Sequence, residues 1–233
     1  MLDLNQKQKI VVFTGAGMSA ESGLKTFRDS NGLWEQYRVE DVATPDAWRR
    51  DPQLVLRFYN ERLQQALQSK PNEGHNVIAH LQKNFDVQVI TQNVDDLHER
   101  AGSKRVLHLH GELKKMRSSI DEELVFPIKS GKINYGDLCP KGSQLRPHIV
   151  WFGEAVPAME QAINFVLQAD VLIIVGTSLV VYPAANLIHY AHKTCKKYLI
   201  DPATFEASVI EDITQIKKPA SEGLKEMEKI LLA

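Results

Sequence analysis

Residues Lys9 to Asp29, K-I-V-V-F-T-G-A-G-M-S-A-E-S-G-L-K-T-F-R-D, constrain this chain more tightly than any other stretch. Ile10-Val11-Val12-Phe13 is short, mostly β-branched and apolar at every position, the pattern of a strand buried on both faces of a parallel sheet. Gly15-Ala16-Gly17 follows, with Ala20 at the third place of a G-x-G-x-x-G/A fingerprint. Small residues there let backbone N–H groups and a helix N-terminus approach a pyrophosphate. Glycine-rich turns after strands are common, so the pattern alone leaves nucleotide binding open. The fingerprint expects the next strand, ending in a ribose-binding acid, about 20 residues on. Here the next convincing strand is Val87-Gln88-Val89-Ile90, so a long insertion separates the first two strands and argues against a simple dehydrogenase.

Downstream, strands and helices alternate. Residues 34–43 read as irregular. Thr44-Pro45 and Asp51-Pro52 each open a helix with Pro at its first position, and the second carries Leu54, Val55, Phe58, Tyr59, Leu63 and Ala66 at helical spacing. Asn72 begins another helix, with Val77, Ile78 and Leu81 on one side. Further strands are expected at 86–91, 105–110, 170–175 and 197–200, and helices at 96–101, 158–169, 183–193 and 221–232. Ile149-Val150-Trp151-Phe152 is read as resuming the core. Such alternation makes an α/β doubly wound parallel sheet. Residues 112–146 are polar and turn-rich, with Leu124, Val125, Phe126 and Ile128 as sparse apolar positions, and read as a second inserted lobe.

Composition narrows the function classes. At 233 residues the chain holds one sizeable core or a core with an inserted lobe. A net charge of −1 gives no reason to expect nucleic acid or an anionic membrane as partner. No apolar run reaches membrane-spanning length, and the first residues lack a signal-peptide core. Cys139 and Cys195 are far apart in unlike contexts, which suggests a reducing compartment, the cytoplasm, without a disulfide framework.

Three loops are expected beyond strand ends: Gly15-Ala16-Gly17, Gln92-Asn93-Val94-Asp95 and Gly176-Thr177-Ser178. Ligands of open α/β sheets bind there. Taken singly, Asn93 or Asp95 could merely cap a helix, and His110 could be a satisfied structural histidine. Together with Ser19, Ser22-Gly23, Phe27-Arg28, Leu109-His110-Gly111, Val150-x-Phe152-Gly153-Glu154 and Pro147, the chain from about Lys9 to Leu231 resembles the sirtuin family of NAD-dependent protein deacylases.

The resemblance implies a single catalytic domain over 1–233. It has a Rossmann-like, NAD-binding core (1–29, 72–111, 147–233), an inserted helical module (30–71) and a degenerate zinc-ribbon-like module (112–146). Gly15, Ala16, Gly17 and Ser19 would hold the pyrophosphate, and Phe27 and Arg28 would cover the nicotinamide ribose. Gln92, Asn93 and Asp95 would bind the ribose and the carboxamide; Gly176, Thr177, Ser178, Asp201 and Ala220 would border the adenosine. The implied reaction transfers the acyl group of an acyl-lysine to ADP-ribose. Nicotinamide leaves, the acyl oxygen attacks the anomeric carbon, and His110 as general base activates a ribose hydroxyl, with Asn93 and Asp95 assisting. A peptide substrate would add as a strand along Val150-Trp151-Phe152-Gly153-Glu154 and Leu179-Val180-Val181.

Tyr59 and Arg62, three apart, share a helix face. On an arbitrary helix Tyr59 would pack and Arg62 would be solvated. After Ala43-Thr44-Pro45, however, the Tyr-x-x-Arg spacing resembles sirtuins that remove succinyl and malonyl groups. There Ala43 leaves room for the acyl chain, while Tyr59 and Arg62 bind its distal carboxylate. Sirtuins mostly carry two cysteine pairs for structural zinc. This chain has Met116-Arg117-Ser118-Ser119 at the first pair and only Cys139 at the second, so zinc is predicted absent and the lobe is expected to pack on Leu124, Val125, Phe126, Ile128 and Tyr135. Two other readings stay open: mono-ADP-ribosyl transfer from the same pocket, and an NAD-binding interaction module without catalysis.

Overall fold

The computed structural model describes residues 7–25, 37–177, 179, 181–203 and 212–233. Phe27, Arg28, Ser178 and Val180 lie outside them. Strand β1 (Lys9–Thr14) pairs in parallel with β2 (Asp86–Thr91) on one side and β7 (Val171–Val175) on the other. With β3 (Val106–His108), β8 (Lys196–Ile200) and β9 (Ile213–Ile216) the order is β3-β2-β1-β7-β8-β9, parallel throughout. Alternate residues of β1 serve opposite faces. Ile10 and Val12 join one apolar cluster with Ile78, Leu81 and Leu224; Val11 and Phe13 join another with Ala162 and Leu187. Covering both faces explains the unbroken apolar runs. The helices Glu73–Leu81 and Ala220–Leu232 supply the first layer, and Met159–Leu167 with a 3-10 segment, Ala184–Tyr190, supplies the second. None of the described helices is long and apolar enough to cross a membrane.

Helix starts lie where the capping residues place them. Thr44 Oγ1 accepts from the Ala47 N–H at 3.0 Å ahead of the helix Pro45–Arg50, and Asp51 Oδ1 accepts from the Leu54 N–H at 2.9 Å ahead of Pro52–Gln68. Asn72 caps Glu73–Leu81 in a reciprocal box with His75, whose Nδ1 accepts from the Asn72 N–H at 3.3 Å.

The structure corrects several expectations. Val39–Val42 forms a helical turn with Val42 fully buried, where 34–43 reads as irregular. The third strand ends at His108; the Leu109 N–H still bonds the Thr91 carbonyl, and at Gly111 (φ 83°) the chain turns into a separate sheet. That sheet is antiparallel, ordered β5-β4-β6, from β4 (Gly111–Ser118), β5 (Val125–Pro127) and β6 (Leu145–Ile149). Ile149 and Trp151 therefore do not rejoin the parallel sheet; they pack into the helical module with Ala43, Phe58 and Tyr59. Tyr135 is 61% exposed, and the small lobe packs instead on Leu56, Ile133, Cys139 and Leu145, with Phe126 and Ile128 alongside. Residues 183–193 hold a 3-10 turn rather than a full helix, and β9 has no counterpart among the expected strands.

The loops after β1 and β7 meet backbone to backbone. The Gly17 N–H donates to the Gly176 carbonyl at 2.8 Å. A Cβ on Gly15 would lie 2.7 Å from the Gly176 oxygen, and one on Gly176 (φ +57°) would lie 2.4 Å from the Met18 nitrogen. Gly176→Ala is therefore expected to lose about 2–4 kcal/mol of stability, measured by denaturant unfolding, because it adds both a clash and a left-handed backbone penalty.

Candidate active site

At the carboxyl end of the sheet, where chain order reverses across β1, the three loops join through hydrogen bonds. Asn93 Nδ2 donates to Ser19 Oγ at 3.1 Å, and that hydroxyl donates to Asp95 Oδ2 at 3.0 Å. Asp95 Oδ1 accepts from the Leu97 N–H at 3.1 Å. Ser19, Asn93, Asp95 and Thr177 are all buried. Burial raises the Asp95 pKa, an effect opposed by the Leu97 N–H and the Ser19 hydroxyl. Gln92 is the junction. Its Nε2 donates to Thr177 Oγ1 at 2.9 Å, while its own N–H donates to the Thr14 carbonyl at 2.9 Å.

The Gln92 carbonyl also sets the tautomer of His110, whose Nδ1 lies 3.1 Å from it. A carbonyl only accepts, so Nδ1 carries the proton and Nε2 keeps a lone pair. Burial holds His110 below the ordinary imidazole value, against a smaller upward pull from the Gln92 carbonyl. It is thus a neutral base at neutral pH.

Three further histidines brace these loops and were not anticipated. His108 bonds the Asn93 carbonyl at 2.9 Å and Glu99 at 2.8 Å. Burial opposes its protonation, but the Glu99 hydrogen bond and charge outweigh it and its pKa is raised. His98 Nε2 lies 3.1 Å from Thr14 Oγ1, and its ring sits 4.8 Å from that of His75. Burial presses His75 down to about 4, and His98 also lies well below the usual range. The cap of the His75 helix reaches the first loop, Asn72 Nδ2 donating to the Met18 carbonyl at 2.8 Å. The readable signals were the Asn72/His75 capping spacing and the placement of His98 three residues after Asp95.

The remaining candidates divide. Asp201 follows β8, its Oδ1 accepting from the Ala203 N–H at 2.8 Å. Ala220 is buried in the apolar layer with Met18 and Val175. Ala43, Tyr59 and Trp151 share one cluster, and the Phe152 N–H donates to the Ala43 carbonyl at 3.0 Å. Burial drives the Tyr59 phenol well above its usual range, so it remains an O–H donor. The Arg62 side chain is 11% exposed and 3.8 Å from Glu61; among the described residues its Nε and Nη1 are buried with no hydrogen-bond partner. Residues 151–154 form a turn closed by the Glu154 N–H on the Trp151 carbonyl, not a strand edge. The N–H groups of Val150, Trp151, Phe152 and Glu154 all have internal partners, so a peptide pairing along this segment would draw on its carbonyl oxygens rather than on these amides. In the small lobe, Cys139 Sγ lies 3.4 Å from Ser118 Oγ and 3.1 Å from Ser143 Oγ, and no group of three His, Cys, Asp or Glu is placed to hold a metal among the described residues.

A doubly wound parallel sheet with glycine loops, buried amide and carboxylate groups and a neutral histidine at its switch point defines a nucleotide-using α/β enzyme. The Sir2 family model matches residues 15–183, and the chain belongs to that family. It is 53% identical over 230 residues to an NAD-dependent protein deacylase of Bacteroides thetaiotaomicron, covering 97% of this chain and 98% of the relative. It is 50% identical over 220 residues to one of Helicobacter pylori, covering 94% and 96%. A crystal structure of a Sir2 homologue in complex with NAD superposes with a TM-score of 0.87 at 39% identity, covering 97% of this chain and 90% of that one.

With His110 as the expected general base, its geometry predicts a pH profile. As pH falls, Nε2 takes up a proton and loses its basicity, so kcat/KM should fall on the acid side with a midpoint below the ordinary imidazole pKa. His110→Ala should remove turnover and leave NAD affinity, by calorimetry, within about threefold.

Proposed function

We propose that this NAD-dependent protein deacylase prefers lysines carrying short dicarboxylic acyl groups, succinyl or malonyl, over acetyl-lysine, which it still accepts. The observation that carries this reading is Arg62: a nearly buried guanidinium whose Nε and Nη1 have no hydrogen-bond partner among the described residues, next to the neutral phenol of Tyr59. A buried cation whose counter-charge, Glu61, lies no nearer than 3.8 Å is costly, and a carboxylate entering between the two residues would satisfy it bidentately. Ala43, small and buried in the same cluster, leaves room for the chain that carries the carboxylate.

NAD fits the carboxyl end of the sheet on this chain's own terms, because glycine loops there present backbone without side chains beside the buried, hydrogen-bonded Ser19, Asn93 and Asp95. When bound, NAD supplies an anomeric carbon with nicotinamide as leaving group. Gly15, Ala16, Gly17 and Ser19 would hold its pyrophosphate, and Phe27 and Arg28, outside the described residues, would cover the nicotinamide ribose. Gln92, Asn93 and Asp95 hold the sugar and the amide, while Gly176, Thr177, Ser178, Asp201 and Ala220 border the adenosine. Asn93 and Asp95, tied to Ser19, keep the sugar in one orientation. His110 Nε2 takes the proton of a ribose hydroxyl as that oxygen becomes nucleophilic. Val150, Phe152 and Gly153 face the acyl-lysine stem. The three modules act as one catalytic unit.

The small lobe we read as zinc-free. One thiol hydrogen-bonded to two serine hydroxyls is a poor tetrahedral donor set, and the lobe is instead joined to the helical module through Leu56. Purified protein should contain well under one equivalent of zinc by elemental analysis and keep its melting temperature in EDTA; stoichiometric zinc contradicts this. For acyl choice, Arg62→Met should lower kcat/KM on a succinyl-lysine peptide by at least about thirtyfold and change that on the acetyl peptide by less than about threefold. Equal losses on both would refute the role given to Arg62.

A further inference from the structure

Arg117 on β4 and Arg146 on β6 stand directly opposite each other in the small antiparallel sheet. Their side chains are 5% and 8% exposed. Like charges facing across a strand pair repel, and burial deepens the penalty. One carboxylate resolves both. Glu154 accepts from Arg146 Nη1 at 2.7 Å and Nη2 at 3.0 Å, and from Arg117 Nη2 at 3.2 Å. Burial alone would raise the Glu154 pKa, but the Arg146 bond and the Trp151 N–H hold it below the usual carboxylate range. Replacing such a cluster with apolar residues is often neutral or stabilising, so stability alone does not explain it.

Its geometry does. Glu154 Oε2 also accepts from the Trp151 N–H at 2.8 Å, and the Arg146 guanidinium stacks 3.3 Å over the Trp151 ring. The indole packs against Tyr59 with centroids 6.5 Å apart, and the next residue, Phe152, is tied to the Ala43 carbonyl. The turn 151–154 is thereby strung between the small lobe and the wall of the acyl pocket.

We propose that Glu154, with Arg146 and Arg117, is a positioning residue for the acyl-lysine. The clamp fixes Trp151 against Tyr59 and the turn against Ala43, and so determines how well a charged acyl group is held, without touching the cofactor loops. This rests on the acyl-pocket reading of Tyr59 and Arg62.

The test measures peptide KM, kcat and NAD Kd for wild type, Glu154→Gln, Arg146→Lys and Arg62→Met, on succinyl- and acetyl-lysine versions of one peptide. Glu154→Gln should raise the succinyl-peptide KM about tenfold, with kcat within threefold and NAD Kd within twofold. Arg146→Lys keeps a cation for Glu154 but loses the planar stack; it should raise the same KM about threefold at a melting temperature near wild type. Parallel losses in kcat, KM and NAD affinity would mark a purely structural role and overturn the proposal. So would wild-type KM values in both clamp variants when Arg62→Met does shift the succinyl-to-acetyl ratio. If Arg62→Met leaves that ratio unchanged, the acyl-pocket reading fails and the clamp's role fails with it.

Discussion

The molecule depends on one close approach, that of the Gly15–Gly17 backbone to Gly176. Neither loop tolerates a Cβ there, and the Gly17 N–H is spent on the Gly176 carbonyl rather than held for a ligand. The contact brings the ends of β1 and β7 together at the point where the sheet order reverses. From there Ser19 reaches Asn93 and Asp95, and Thr177 reaches Gln92. The glycine fingerprint thus serves loop-to-loop packing, and the same missing side chains suit the phosphate cradle proposed for it.

Rigidity of the cofactor side follows from buried polar groups hydrogen-bonded from loop to loop. Gln92 divides its bonding between Thr14, Thr177 and His110, so the base and two of the loops move as one. Underneath, His75 and His98 sit neutral and buried, one in a helix cap that holds the first loop and the other against Thr14. A half-satisfied buried network is costly, which disfavours alternative arrangements of these loops.

Much of this was legible in the residues. β1 and β7 show as continuous apolar runs, and β2 as one interrupted by the buried Gln88, because both faces of the sheet are covered, and Thr44, Asp51 and Asn72 announce their helices through capping chemistry. The path after Arg146 was not legible. Ile149-Val150-Trp151-Phe152 has the composition of a core strand, and only tertiary pairing with β4 sends it into the helical module. Tyr135, apolar by type, lies on the surface because Ile133 and Cys139 already fill the small lobe. β9 is four residues on the rim of the sheet, too short for alternation to register. The bracing histidines were missed because a single buried histidine bonded to a distant loop leaves no periodic trace. For the site, the loop residues were nameable from motif order, while the His110 tautomer and the unpartnered Arg62 nitrogens required coordinates.

In the helical module the pattern is reversed: Arg62 Nε and Nη1 are buried with no hydrogen-bond partner among the described residues, the feature on which the proposed acyl preference rests. A base with a fixed tautomer beside the glycine loops, and a guanidinium short of partners among the described residues, are what the proposed transfer of a charged acyl group to the cofactor's sugar rests on. Mass spectrometry of the products from NAD and a succinyl-lysine peptide tests this most directly. The account predicts O-succinyl-ADP-ribose and nicotinamide in equal amounts with free-lysine peptide. Free succinate with NAD intact, or a peptide bearing ADP-ribose, would contradict it.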